Sequence, residues 1–407
     1  MLDDARAAAA RAARESYGRL LAFLSARSRD VAAVEDALAE AFRNALDGWP
    51  EQGVPREPEA WLLTAARRRL SDQRRHERVR DEAASALLLA AQAAQDCAAE
   101  GAAFPDDRLK LLFICAHPAI DAGARTPLML QTVLGLDAAR IASAFLVRPS
   151  TMGQRLSRAK AKIRDARIPF QVPEAKELPA RLDAVLEAIY AAYGRGWDDL
   201  AGLDPQVTGL TEEAIQLGRM LVQLAPHEPE VLGLLALMLH CEARYAARRD
   251  ASGAYVPLMQ QDTSRWSLSA IDEAESLLRQ AWAVGQVGRF QLEAAIQSAH
   301  ASGARAGRTD WESIALLYEG LVTLSPSIGA LVGRAAAMGE ARGAQAGWHL
   351  LEAIPRAAVA NYQPYWAVAA HLLKAQGLVE QAREAYELAI GLCEEPGTRE
   401  FLRRQRP

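Results

Sequence analysis

The sequence predicts an all-α protein. Three observations lead there. Apolar residues recur at spacings of three and four throughout the chain. No run of alternating β-branched residues stands out. Clusters of Gly and Pro separate stretches of helical length. The chain has 407 residues, 50% hydrophobic and 24% charged, a balance that suits filled cores and excludes a disordered chain. At roughly 150 residues per domain this length fits two to four domains.

The elements follow in order. The first block spans 1–80. Leu20, Leu21 and Leu24 give one helical stripe, and Val31, Val34, Leu38, Phe42 and Leu46 give another. Gly48, Pro50, Gly53, Pro55 and Pro58 then predict a turn. Glu59 to Arg80 reads as one helix, apolar first and basic afterwards. Residues 81–105 are alanine-rich with few large side chains and read as a linker. The second block, 106–172, is punctuated at its end by Pro169 and Pro173. Within it, Leu136 to Phe145 reads as a short helix with Asp137 as N-cap. Leu146-Val147-Arg148-Pro149 makes a tight turn. Ser150-Thr151 then caps a second helix that turns Met152, Leu156, Ala159 and Ile163 inward. From 178 to 407 the pattern is a series of helical pairs. Ile271–Trp282 goes with Phe290–His300, and Trp311–Leu324 with Ile328–Gly339. In the last unit Trp366, Ala370, Leu373, Gly377, Ala382, Tyr386 and Ala389 follow the tetratricopeptide spacing. Small Ala370 and Ala382 let two antiparallel helices approach, and Gly377 permits the turn between them. Stacked pairs of this kind make a concave, protein-binding surface.

Charge is strongly segregated behind a net value of −4. Between residues 148 and 167, seven cations (Arg148, Arg155, Arg158, Lys160, Lys162, Arg164, Arg167) face one acid, Asp165. A short helix, a tight turn and a cationic second helix form the helix–turn–helix layout, whose second helix enters the major groove. Arg155, Arg158 and Lys162 are candidates for phosphates, and Ser150, Thr151 and Gln154 for base edges. The bland alternative is a solvated helix of an ordinary bundle. A second basic helix begins at Trp61 and carries Arg67, Arg68, Arg69, Arg74 and Arg75; seven arginines fall in residues 67–80. An aromatic ring followed by dense arginine suits unpaired DNA, where bases stack on rings and guanidinium planes. Trp61 taken alone also reads as a core anchor.

Several function classes are excluded. There is no P-loop, GxSxG, HExxH or GxGxxG motif, so the chain reads as a non-enzyme with no cofactor. Cys97, Cys115, Cys241 and Cys393 are scattered and form no CxxC pair, which predicts neither a metal site nor a disulfide framework. Cys115 and His117 lie close in sequence but lack a further ligand pair and read as a packed turn. No apolar run reaches the roughly 18 residues of a membrane span. The Ala-rich start lacks a cleavage pattern, so the expected location is the cytoplasm.

Here the residues carry a resemblance. Val34-Glu35-Asp36-Ala37-Leu38-Ala39-Glu40-Ala41-Phe42 resembles region 2.2 of extracytoplasmic-function sigma factors. Trp61 to Arg75 resembles regions 2.3 and 2.4, with Arg68 where many members carry asparagine. Ser150 to Lys160 is similar to the recognition helix of region 4. The resemblance implies that Asp36 and Glu40 dock on the β′ subunit of core RNA polymerase, with Phe42 supporting them from the core. It implies that the Trp61–Arg75 helix reads the −10 element of promoter DNA and that the 150–162 helix reads the −35 element. Asp106 to Phe113, followed by Cys115-Ala116-His117-Pro118, resembles the start of region 4 in members with a tetratricopeptide-like extension. Arg249-Asp250, Gly253, Gln261-Asp262 and Ser264-Arg265-Trp266 resemble a segment of that extension. It would regulate activity, with a regulatory protein as a further partner. Two alternatives are a standalone helix–turn–helix regulator and a helical-repeat scaffold. Co-purification with core polymerase separates both from a sigma factor.

Overall fold

The computed structural model describes residues 2–78, 106–145, 147–174, 176–198, 209–251 and 253–407, without the side chains of 2–3, 73–78 and 195–198. The predicted linker, 81–105, lies outside the described residues, as do Val79 and Arg80. Among the described residues the regular structure is helical, apart from one isolated antiparallel bridge between Arg249 and Tyr255. The all-α reading is therefore correct. The chain forms two compact units, Met1–Leu217 and Gly218–Pro407.

In the first unit, α1 (Leu2–Ser28), α2 (Val31–Gln52) and α3 (Pro58–Arg78) pack on one another. The helix α1 starts well before the leucine stripe. Ala5, Ala8, Ala9 and Ala12 are buried and continue the face of Leu20, Leu21 and Leu24. Asp30 caps α2 by accepting from the Ala33 N–H at 3.1 Å. The predicted turn at Gly48 and Pro50 does not form there, because α2 runs through both residues to Gln52. Pro50 removes only the bond to the Leu46 carbonyl near the helix end, and Leu46 is 45% exposed, where water can serve that carbonyl. Leu46 thus leaves the predicted stripe, and Phe42 is half-buried. The stop comes at Gly53, with φ of 85° and its N–H on the Trp49 carbonyl at 3.0 Å.

The second block of this unit comprises α4 (Arg108–Cys115), α5 (Ala122–Thr132), α6 (Ala138–Ala144), α7 (Pro149–Asp165) and α8 (Pro179–Asp198). Its centre is the fully buried run Leu111 to Cys115 with Leu128 and Met129. Buried Arg108 is held by Asp106 at 2.5 Å and by Glu213. The helix α8 packs on α4 and α5, so its apolar face closes this block. α9 (Leu210–Leu224) carries the chain onward.

The second unit contains α10 (Pro229–Glu242), α11 (Leu268–Ala283), α12 (Arg289–Ala306), α13 (Trp311–Leu324), α14 (Ile328–Arg342), α15 (Ala344–Glu352), α16 (Arg356–Val359), α17 (Gln363–Ala375), α18 (Val379–Leu392) and α19 (Pro396–Gln405). The hairpin α17–α18 buries Trp366, Ala370, Leu373, Ala382, Tyr386 and Ala389, and Gly377 turns between them at φ of 78°. The pair α13–α14 forms as expected. The expected pair α11–α12 is only a minor contact, because α12 packs chiefly on α10. Gly233 of α10 permits that approach: a Cβ there would lie 2.6 Å from the Gln291 backbone nitrogen. Residues 245–266 make three short 3-10 turns. Arg249 ties them to α19 through Glu395 at 3.1 Å, and Trp266 is buried beneath.

Candidate nucleic-acid interface

The helix–turn–helix is built locally. The Asp137 carboxylate accepts from the Ala139 and Arg140 N–H groups, both at 2.9 Å, and starts α6. Ile141 and Ala142 are buried, and the Val147 N–H returns to the Ala142 carbonyl at 3.0 Å to close the turn. Arg148 is the N-cap of α7, and Pro149 takes the first helical position, where a missing N–H costs nothing. Ser150 and Thr151 therefore lie inside the first turn rather than capping it, which corrects the sequence expectation. Met152, Leu156, Ala159 and Ile163 are buried and seat α7 on α6 and α5. Each of the larger three contributes about 1.5–3 kcal/mol through burial.

Helical geometry then sorts the polar residues of α7. At 3.6 residues per turn, Thr151, Arg155, Arg158 and Lys162 fall within about 60° of one another, on one flank of the apolar seam. Ser150 and Gln154 point directly away from the seam. Ser150, Gln154, Arg155, Arg158 and Lys162 are exposed, and Thr151 is half-exposed. Arg155, Arg158 and Lys162 form no ion pair among the described residues. Lys160 and Arg164 lie on the opposite flank and are engaged by acids. Lys160 meets Glu35 at 2.5 Å, while Arg164 lies 3.0 Å from Asp165 and 3.8 Å from Asp30. The structure thus divides one basic run into an open stripe and a paired one. An unpaired, exposed, cationic helix face gains from phosphate neutralisation without first breaking internal bonds.

The first block is arranged differently. Trp61 is half-buried and stands edge-on to Trp49, with centroids 5.6 Å apart and an interplanar angle of 70°. This is the core-anchor role, with part of the ring still open. Arg67 lies over the Phe23 ring at 5.3 Å. Arg68 is exposed. Arg69 bonds Glu40 at 2.7 Å, and Arg43 approaches the same carboxylate at 3.5 Å. Arg74 and Arg75 continue α3, with side chains outside the described residues. Asp36 is exposed on α2, whereas Glu40 is half-buried and shared between two arginines. Phe42, expected to support this face from the core, is only half-buried.

Glu35 is the charged residue that sequence reading passed over. It belongs to the quoted acidic motif, yet its partner lies 125 residues away. Cys115 is fully buried and hydrogen-bonded to Thr132 at 3.5 Å, and burial pushes its thiol up to about 12. His117 Nδ1 accepts from the Ala119 N–H at 3.1 Å. No group of three His, Cys, Asp or Glu residues able to hold a metal occurs among the described residues. No described helix is long and apolar enough to cross a membrane.

Residues 13–80 match the Sigma-70 region 2 family, and residues 181–282 match a family of unknown function, DUF6596. The fold of α1–α3 and this match support a sigma-70-family sigma factor, a class that acts in transcription initiation through RNA polymerase and promoter DNA. An uncharacterized protein of Rhizobium meliloti (strain 1021) is 37% identical over 395 residues, 96% of this chain and 92% of that one. The chain belongs to the same family as that rhizobial protein. No solved structure matches it. The helix–turn–helix lies between the two matched stretches and is covered by neither.

Proposed function

We propose that the protein is a sigma factor of the extracytoplasmic-function type, which binds core RNA polymerase and directs it to promoters. The observation that carries this reading is the open stripe Thr151, Arg155, Arg158 and Lys162 on a helix–turn–helix, downstream of a region 2 domain in the same chain. Arg155, Arg158 and Lys162 hold the phosphates of the −35 duplex. Ser150, Thr151 and Gln154, at the helix N-terminus, reach base edges. The helix from Trp61 through Arg67, Arg68, Arg69, Arg74 and Arg75 takes the opened −10 strand. Asp36 and Glu40 face the β′ subunit, and Phe42 braces them. Residues 178–407 are a tetratricopeptide-like extension that regulates activity, with a regulatory protein as its partner. The purified full chain, mixed with core polymerase and genomic DNA, should produce transcripts with defined 5′ ends. Transcripts indistinguishable from those of core polymerase alone would refute the reading.

A further inference from the structure

Two independent features of the first unit tie the helix–turn–helix to residues beyond it. The first is apolar. Pro127, Leu128, Met129 and Leu130 of α5 are all buried. Successive helical residues are about 100° apart, so these four sweep about 300° of the α5 surface. A helix buried on so many sides needs neighbours on more than one of them. Both α7 and α8 pack on α5. The helix α8 buries Leu182, Leu186, Ile189 and Tyr193 at spacings of four, three and four, with Val185 on the same face. Its Ala191 lines an apolar cleft with Leu130 of α5 and with Ile141 and Phe145 of the helix–turn–helix. The second feature is electrostatic. Arg108 opens α4 with its side chain only 5% exposed. Its Nε donates to Asp106 Oδ1 at 2.8 Å, and a terminal nitrogen reaches Glu213 of α9. Burial works against the Asp106 carboxylate, but Arg108 outweighs it and holds the carboxyl below the usual range. One of the acids that compensate this buried cation therefore comes from the stretch that matches DUF6596. Removing one partner of a buried ion pair leaves charge uncompensated in a poor solvent for it.

We infer that α8 and the start of α9 are a brace for the DNA-reading helix: Leu182, Val185, Leu186, Ile189 and Glu213 are positioning residues that hold α7 in its binding geometry through α5 and α4. The inference rests on the reading of α7 as the duplex-binding helix given above. It gives the start of the DUF6596 stretch a role in the DNA-reading block, up to Leu217, where the first compact unit ends. Met152, Leu156, Ala159 and Ile163 seat α7 on α5 and α6, so a shift of α5 is carried to Arg155, Arg158 and Lys162. Closely packed interiors transmit such shifts because they leave little free space. Arg181, near the start of α8, is itself buried and bonds Glu177 at 2.8 Å, so it offers the duplex no open cation. A brace of this kind changes how often α7 is correctly held, not how many phosphates it meets. Loosening it lowers affinity at every salt concentration and leaves the salt slope unchanged.

The test uses the full chain and a labelled non-specific duplex. Val185→Ala/Ile189→Ala thins the face that α8 turns to the block. It should weaken duplex binding about tenfold with the slope of log K against log salt unchanged. Hydrogen exchange in peptides from 149–165 should speed up by a similar factor. Glu213→Gln leaves the apolar face whole and should give the same pattern at about threefold. Where the double variant fails to fold, Glu213→Gln carries the test. Leu372→Ala, a similarly buried truncation in α17 of the second unit, should leave both readings at their wild-type values. Unchanged exchange in 149–165 or unchanged affinity in Glu213→Gln overturns the brace, as does an equal response in Leu372→Ala. An affinity loss accompanied by a smaller slope also overturns it, because phosphate contacts would then have been removed. If exchange responds as expected but the wild type binds duplex without salt dependence, the reading of α7 as a DNA-binding helix fails, and the brace loses its function with it.

Discussion

The division of α7 into an open and a paired flank predicts how each flank should respond to salt. Replacing Arg155, Arg158 and Lys162 together by alanine removes three exposed cations that no acid engages among the described residues. They span eight residues, about 10 Å along the helix from first to last, a length suited to neighbouring phosphates. Each phosphate contact contributes about 0.9 to the slope of log K against log salt on duplex DNA. The triple variant should therefore lose about 2.7 from that slope. Between about 50 and 200 mM salt, the fall in affinity should shrink by a factor of about 40. The double variant Lys160→Ala/Arg164→Ala removes two cations of the same helix that are held by Glu35, Asp30 and Asp165. Its slope should stay close to the wild type. The assay is fluorescence anisotropy of a labelled duplex titrated with the full chain at several salt concentrations, with circular dichroism confirming that helix content is kept. Non-specific duplex suffices, because phosphate contacts do not depend on sequence. Equal slope changes in the two variants, or none in the triple, would refute the assignment of the DNA face.

Further outcomes follow from packing and burial. Leu156→Ala removes a side chain 1% exposed in the seam of α7 and should cost about 2–5 kcal/mol of unfolding free energy, seen as a lowered denaturation midpoint of the first unit. Asp137→Ala removes the side chain that bonds two N–H groups at the start of α6 and should cost about 1 kcal/mol in the same measurement. In the second unit, burial lowers the His300 pKa to about 4, with the ring edge-on to Trp311 at 5.4 Å. The unfolded chain then takes up a proton near pH 6.5 that the folded chain refuses until about 4. Stability is complete above 6.5 and falls as pH drops through that window. The loss attributable to His300 is about 2 kcal/mol between pH 7 and 5. Denaturant titrations of His300→Leu should show a pH dependence shallower by that amount, and an unchanged dependence would count against a neutral, buried His300.

What the sequence disclosed depended on how local the determining contacts are. The seam of α7 repeats at three and four within a dozen residues, so Met152, Leu156, Ala159 and Ile163 were all placed correctly. The same holds for the hairpin α17–α18, whose seven marker residues lie within one repeat. Elements governed by weak or misleading local signals were read less well. The N-terminal half of α1 buries alanines, whose small side chains give a faint apolar stripe that only a packed neighbour makes evident. Pro50 signals a turn by its missing donor, yet near the end of α2 it forfeits a single bond. The pairing of α12 with α10 instead of α11 was hidden because Gly233 and Gln291 are far apart in sequence. Seven cations around α7 were visible as composition, but their partition needed the positions of Asp30 and Glu35 on another helix.

That partition bears on the order of events at a promoter. Glu40, proposed to face polymerase, and Arg69, proposed to take the −10 strand, are bonded to each other at 2.7 Å, with Arg69 about half exposed. An exposed pair of this kind is worth about 0–1 kcal/mol, so either partner is readily exchanged. If polymerase takes the carboxylate, Arg69 is released with its charge uncompensated, on the helix proposed to receive a strand of phosphates. Lys160, on the flank of α7 turned to Glu35, takes no part in this exchange. At the Glu40–Arg69 pair, polymerase binding and DNA binding would draw on the same internal ion pair, so each would favour the other by removing a shared competitor. Coupling of this form is reciprocal. Promoter DNA should therefore tighten the binding of core polymerase by the same factor that polymerase tightens the binding of DNA. Neutralising Glu40 to Gln should shrink both factors equally.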